Sequence, residues 1–294
     1  MIKNVGFLMV LVLFVSMKGD KPAYLIFNSS GKNVSYNEML KDALGSDIVF
    51  FGELHDNSLC HWLQLEITND LFSEKKSNLI IGMEMFESDN QLLIDEYMSG
   101  KIAEKNFESE AKLWKNYKTD YKPTVDLAKE NNLKFVATNI PRRYASLVNK
   151  KGFEGLDSLT IDAKKYIATL PISYDPEVEC YKSMMGMMGE SNRHDTINIA
   201  KAQAIKDATM AYFILKYWTL GKTFIHINGS YHSDNYEGIV WWLKKENPKL
   251  KIVTISTVEQ DTISSLSEEN KGIADYILSI PSNMTKTYSS PGFN

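Results

Sequence analysis

An α/β fold, with a mainly parallel sheet flanked by helices and a helical insertion forming a lid, is predicted by three observations. Apolar runs without alternation recur at residues 48–51, 79–83, 133–137 and 223–227, as in strands buried on both faces. Helical patterns separate these runs, so strand and helix alternate along the chain. One long interval, about residues 141–195, shows no strand signal and reads as a helical excursion.

The elements follow in order. Residues 24–27 form a short strand, Asn28 to Lys32 is a turn cluster, and Val34 returns as a second strand. Ser35 caps a helix over 36–44, with Glu38 as its capping-box partner. The strand at 48–51 ends at Gly52, where the backbone can turn sharply. An amphipathic helix starts at Asn57 or Ser58 and runs to about Phe72, with His61 and Gln64 on one face. The strand at 79–83 is followed by Glu84, set between two methionines and Phe86, an unusual place for a carboxylate. Residues 90–129 read as helical and charged, with Trp114, Tyr117 and Tyr121 interspersed. After the strand at 133–137 and the excursion come a helix at 196–218, a strand at 223–227, a helix at 236–245, and strands at 251–256 and 276–279.

Composition sets further bounds. With 294 residues, 44% hydrophobic and 24% charged, the chain is an ordinary globular protein. A net charge of −4, with no basic run, argues against nucleic acid as a partner. Lys3 followed by an apolar stretch over 5–17 has the form of an export signal, so residues 1–20 are read as that segment and 21–290 as a single domain. Removed or retained, the segment offers a route to membrane association and predicts an exported protein, periplasmic or outer-membrane-associated. Cys60 and Cys180 either pair in an oxidising compartment or stay free.

The chemistry gathers at strand ends. Glu53 and His55 follow the first core strand, Glu84 the second, Asn139 and Arg142 the third, and His232 the fourth. All belong on the carboxyl rim of one sheet, where open α/β folds build their sites. Two carboxylates and two imidazoles there suit a divalent metal or an acid–base set. The plain alternative is that the carboxylates pair with Arg142 or Arg143 and the histidines close strand ends. Gln203 and Asp207, four apart on one helix, read as groups orienting the rim histidines or as a simple helix pair.

Taken in order, Gly52-Glu53-Leu54-His55, His61-x-x-Gln64, Glu84-Met85-Phe86 with Gln91, Asn139-x-Pro141-Arg142, Gln203-x-x-x-Asp207-x-x-Met210-Ala211 and Gly229-x-x-His232 resemble the ChaN-type haem-binding uptake family. That family sits in a wider group with the Tiki and TraB proteins and the erythromycin esterases. The resemblance covers about residues 24–280. It departs from the family pattern in reading Asn228-Gly229-Ser230-Tyr231-His232 at the last motif, which places the Tyr231 phenol beside the histidine.

The resemblance implies an exported haem-binding protein of an iron-uptake pathway, forming a homodimer around two stacked haems. It implies a tyrosine on the iron and a partner-subunit histidine at the propionates. The candidate haem residues are Tyr174, Tyr181 and His61, the tyrosines flanking the start of a methionine run over 184–188 that either covers a porphyrin face or packs as core. The alternative is a metal-dependent hydrolase, protease- or esterase-like, using Glu53, His55, Glu84 and His232 both as catalytic groups and as metal ligands.

Overall fold

The computed structural model describes residues 21–186 and 193–288. The export segment at 1–20, and Met187 and Met188 of the methionine run, lie outside the described residues. The described residues form one sheet of eight strands: β1 (Leu25–Asn28), β2 (Asn33–Val34), β3 (Ile48–Glu53), β4 (Leu79–Glu87), β5 (Lys134–Asn139), β6 (Thr223–Gly229), β7 (Ile252–Gln260) and β8 (Tyr276–Pro281). Its order is β2-β1-β8-β7-β3-β6-β4-β5. Strands β3 to β8 pair parallel with one another. Only β1 is antiparallel to its neighbours β8 and β2. The helices are α1 (Tyr36–Leu44), α2 (Ser58–Lys75), α3 (Gln91–Met98), α4 (Glu104–Glu110), α5 (Lys122–Glu130), α6 (Arg142–Lys151), α7 (Ile161–Lys164), α8 (Glu179–Gly186), α9 (Arg193–Tyr217) and α10 (Ile239–Glu246). Among the described residues, no helix is long and apolar enough to cross a membrane.

Successive strand residues point to opposite faces, and this alternation divides the core. Val49 and Phe51 of β3, Ile81 and Met83 of β4, and Ile225 and Ile227 of β6 pack with Leu63 and Ile67 of α2 and Val125 of α5. Ile48, Phe50, Ile80 and Phe224 pack on the opposite face with Val148 of α6, Ile205 of α9 and Leu243 of α10. Phe50 and Phe51 are essentially inaccessible, and each contributes roughly 1.5–3 kcal/mol by burial. A Cβ on Gly82 would stand 2.5 Å from the Phe224 ring, so glycine there lets β4 and β6 pack this closely.

Several boundaries differ from the sequence expectation. The rim carboxylates lie on strands, not in the loops after them: β3 ends on Glu53, and β4 continues through Glu84 to Glu87. An ion-paired carboxylate can be buried where a free one could not, so polarity alone did not end these strands. Residues 90–129 are not one helical tract. α3, α4 and α5 are separated by irregular chain and by one wide turn over Tyr117–Tyr121, which buries Tyr117 and Tyr121. Helix α10 starts at Ile239, later than expected, because Gly238 just before it has φ +51, outside the helical region.

Candidate functional site

The alternation that divides the core also divides the expected rim cluster. Glu53 shares the parity of Val49 and Phe51 and points into the α2 layer. There its Oε1 accepts from His55 Nδ1–H at 2.8 Å and from the Tyr121 hydroxyl at 2.7 Å. Its Oε2 lies 3.4 Å from His61 Nδ1, within ion-pair distance, and neither atom has a hydrogen-bond partner among the described residues. His61 Nε2–H reaches the His55 carbonyl at 3.1 Å and Asp120 Oδ2 at 3.3 Å. Asn116 donates to that same carbonyl at 3.0 Å. Asn57 caps α2 by accepting from the Leu59 and Cys60 N–H groups, which sets His61 in the first turn over Glu53. Burial would raise the Glu53 pKa, but hydrogen bonds from His55 and His61 hold it below the ordinary range. Burial would lower both imidazoles, but Glu53 outweighs it and raises them.

Glu84 has the opposite parity and points into the α9 layer. Its Oε2 accepts the Gly229 N–H at 2.8 Å, and its Oε1 lies 3.2 Å from His232 Nε2. His232 Nδ1–H donates to Asp207, and the Gln203 amide lies 3.1 Å from the same nitrogen. The Tyr181 hydroxyl donates to the other Asp207 oxygen at 2.9 Å and accepts from the Trp242 indole at 2.9 Å. Burial would lower His232, but Glu84 and Asp207 raise it to about 10. Burial would raise Glu84, but His232 and His55 push it well below the carboxylate range. Asp207 stays raised by burial, despite His232 and Tyr181.

The two groups meet at Gly229. A Cβ there would sit 2.8 Å from His55 Nε2 and 3.6 Å from Glu84 Oε2. His55, with a side chain about one-third exposed, is the most accessible of the seven rim carboxylates and imidazoles. Its ring packs edge-on against Trp114 at 4.9 Å. Trp114 also lines a cleft of about 850 Å³, together with Leu113, Lys115, Arg142, Arg143 and Tyr288. A smaller cavity of about 260 Å³ shares Trp114 and Arg142 with the cleft and extends it to Glu84, Asn139 and Lys206. The volume of the main cleft falls in the range of small-molecule sites, roughly 300–1,000 Å³.

The profile of the family described as "Haem-binding uptake, Tiki superfamily, ChaN" matches residues 39–243. The chain belongs to this family. The solved structures similar to it include one described as cofacial haem binding to ChaN of Campylobacter jejuni, with a TM-score of 0.67 and 19% identity over 87% of this chain and 96% of that one. A Bacillus cereus protein is 14% identical, with a TM-score of 0.48, over 86% of this chain and 93% of that one. A mutant erythromycin esterase in its open conformation is 8% identical, with a TM-score of 0.46, over 80% and 77%. At these identities the likenesses speak to fold alone. No curated protein matches the chain in sequence.

The residues expected as metal ligands fall into two ion-paired groups. Among the described residues no set of three or more His, Cys, Asp or Glu side chains is arranged to hold a metal ion. The reason is parity: Glu53 and Glu84 enter opposite layers, and each has its own imidazole partner. Gln203 and Asp207 both reach His232. Asn139 and Arg142 line the smaller cavity, and the Asn139 Oδ1 is buried without a partner among the described residues. Tyr181 and His61 are buried and engaged with interior groups. Tyr174 packs between Phe153 and Tyr181, its hydroxyl buried without a partner among the described residues. Met184 and Met185 pack against that same cluster. Tyr231, the extra phenol, donates to the Cys180 carbonyl at 2.6 Å. Sequence reasoning missed Asn116, Asp120, Lys115, Lys206 and Tyr288, because none stands in a motif or at a strand end.

Proposed function

We propose that this protein binds haem as part of iron or haem uptake. The observation that carries the reading is the rim cleft of about 850 Å³, with the Trp114 indole as a flat wall and basic groups around it, in a chain of the haem-binding uptake family. The cleft lining fits a porphyrin: Trp114 and Leu113 for the macrocycle, cations for its carboxylates, and the Tyr288 phenol for ferric iron. Two phenols are proposed for the iron. Tyr174 is kept from the sequence reading because its hydroxyl has no partner among the described residues, and Tyr288 joins it because it lines the cleft. Tyr181 and His61 are proposed to support the site from beneath, because their polar atoms face interior partners. Export through residues 1–20 and a dimer around two haems belong to the same proposal and rest on the family resemblance.

The hydrolase alternative lacks comparable support. Glu53 is ion-paired with His55, and Glu84 with His232, which suits a rigid floor better than turnover. The test is a haemin titration of the purified protein and of its Tyr174→Phe and Tyr288→Phe variants, read at the Soret band. Saturable binding by the wild type, with an altered Soret band in one variant, is expected. A wild type that leaves the spectrum of haemin unchanged overturns the reading.

A further inference from the structure

The molecule places positive charge where its own helix opposes it. Helix α6 begins at the rim immediately after β5, and its first two residues are Arg142 and Arg143. Cations in a first turn work against the helix dipole, which favours negative charge there. No acidic residue stands in that turn, and the cap, Pro141, provides no side-chain acceptor. The Tyr144 and Ala145 N–H groups donate to the Pro141 carbonyl, which leaves those of Arg142 and Arg143 at the open end of the helix. Such a local conflict, retained in a fold that is otherwise consistent, marks a functional position.

The surrounding charges sharpen this. Arg143 is held by Asp89 at 2.5 Å, and Lys112 by Glu87 at 2.9 Å. Arg142, Lys115 and Lys206 have no carboxylate within ion-pair distance among the described residues. Arg142 stands on α6, Lys206 on α9 and Lys115 in the chain after α4, and they line the two neighbouring cavities. The acids of the same walls are already matched: Glu84 by His232 and Glu87 by Lys112.

We infer that the α6 N-terminus with Arg142, Lys206 and Lys115 is the carboxylate clamp of the cleft, seating the propionate edge of a porphyrin whose macrocycle lies against Trp114. The inference rests on the haem reading and assigns the anionic end of that ligand to this chain's own cations. A guanidinium presents paired donors that match a carboxylate, and the two lysines add charge without fixed geometry. The clamp is exposed and basic, so binding through it weakens with salt.

The test uses the full chain with three probes: haemin, iron-free protoporphyrin and its dimethyl ester, which lacks the carboxylates. Arg142→Gln combined with Lys206→Gln is expected to weaken haemin and protoporphyrin binding by on the order of tenfold or more, with a flatter salt dependence. The dimethyl ester is expected to bind the wild type weakly and to be indifferent to the substitutions. Arg142→Lys, which keeps charge but loses the fork, is expected to fall between wild type and the double variant. Circular dichroism of the double variant confirms that a loss is not unfolding. Wild-type affinity for haemin in a folded double variant overturns the clamp and leaves haem binding intact. A wild type that binds neither haemin nor protoporphyrin overturns both.

Discussion

Replacing Asp207 by asparagine removes one of the two carboxylates that hold the buried His232 imidazolium. Burial alone would drive that ring toward neutrality, yet its pKa rises from 6.5 to about 10. At 1.36 kcal/mol per unit, Glu84 and Asp207 together favour the charged ring by roughly 5 kcal/mol beyond the cost of burial. Full removal of a partner from a buried pair costs about 3–5 kcal/mol. Because Glu84 remains 3.2 Å from Nε2, Asp207→Asn should cost about 2–3 kcal/mol at neutral pH. The pH dependence has a fixed sign. The folded pKa lies above the unfolded value, so this stabilisation is complete below pH 6.5 and is lost as pH rises through about 10. Urea unfolding near pH 6.5 and near pH 10 measures both effects, the midpoint falling with an unchanged slope. The wild type should lose stability across that interval, and the variant should lose less. An Asp207→Asn midpoint equal to wild type at neutral pH, or an identical decline with pH, would refute the assignment of His232 as a buried imidazolium.

Glu53→Gln leaves His55, His61 and Tyr121 without their shared carboxylate and should cost about 3–5 kcal/mol in urea unfolding at neutral pH. Since the folded Glu53 pKa lies below 4.5, its contribution exists above that pH and fades as pH falls, so wild type and variant should converge in acid. Gly229→Ala puts a Cβ about 2.8 Å from His55 Nε2, and the displaced ring should cost about 1–3 kcal/mol and alter the near-ultraviolet circular dichroism of Trp114. Cys60 and Cys180 are both free and buried, with thiols pushed up by burial, so a thiol reagent should find two groups after unfolding without reductant and react slowly before it.

The parallel strands were legible because burial on both faces leaves an uninterrupted apolar run, and β3, β4, β5 and β6 each carry one. Their rim ends were not, because Glu53 and Glu84 continue the strands as buried polar residues. The sequence also placed the four charged rim residues near one another without separating them. The separating information was present: Glu53 is in phase with Val49 and Phe51, Glu84 with Ile80, and those two phases face different helices. What no local pattern carries is the convergence of Lys115, Arg142 and Lys206 on two neighbouring cavities, because it arises from tertiary placement of three separate segments. Lys115 sits in a stretch that read as a charged helix, and Tyr288 lies beyond the last strand. Tyr288 is brought there by a neighbour, Thr287, whose N–H donates to the Asp56 carbonyl at 2.8 Å and whose hydroxyl donates to Asp120 at 2.7 Å.

The charge pattern of the rim pairs carboxylates with imidazoles on both faces of the sheet. Glu53 and Asp120 face His55 and His61 in one group, and Glu84 and Asp207 face His232 in the other. Each imidazole has a carboxylate to charge it, and desolvation keeps these interactions strong. His232, raised to about 10, is a poor general base, because it is already protonated at neutral pH. The same pairing removes the rim carboxylates as competitors for cations, so Arg142, Lys115 and Lys206 keep their charge directed into the cleft. An anionic ligand then meets a positive wall above a floor whose charges are internally compensated. His55 is where these two regions touch: it is ion-paired to Glu53 below and packed on Trp114 above. Displacing His55 should therefore disturb the cleft wall and the floor together, whereas removing Arg142 should leave the floor unchanged.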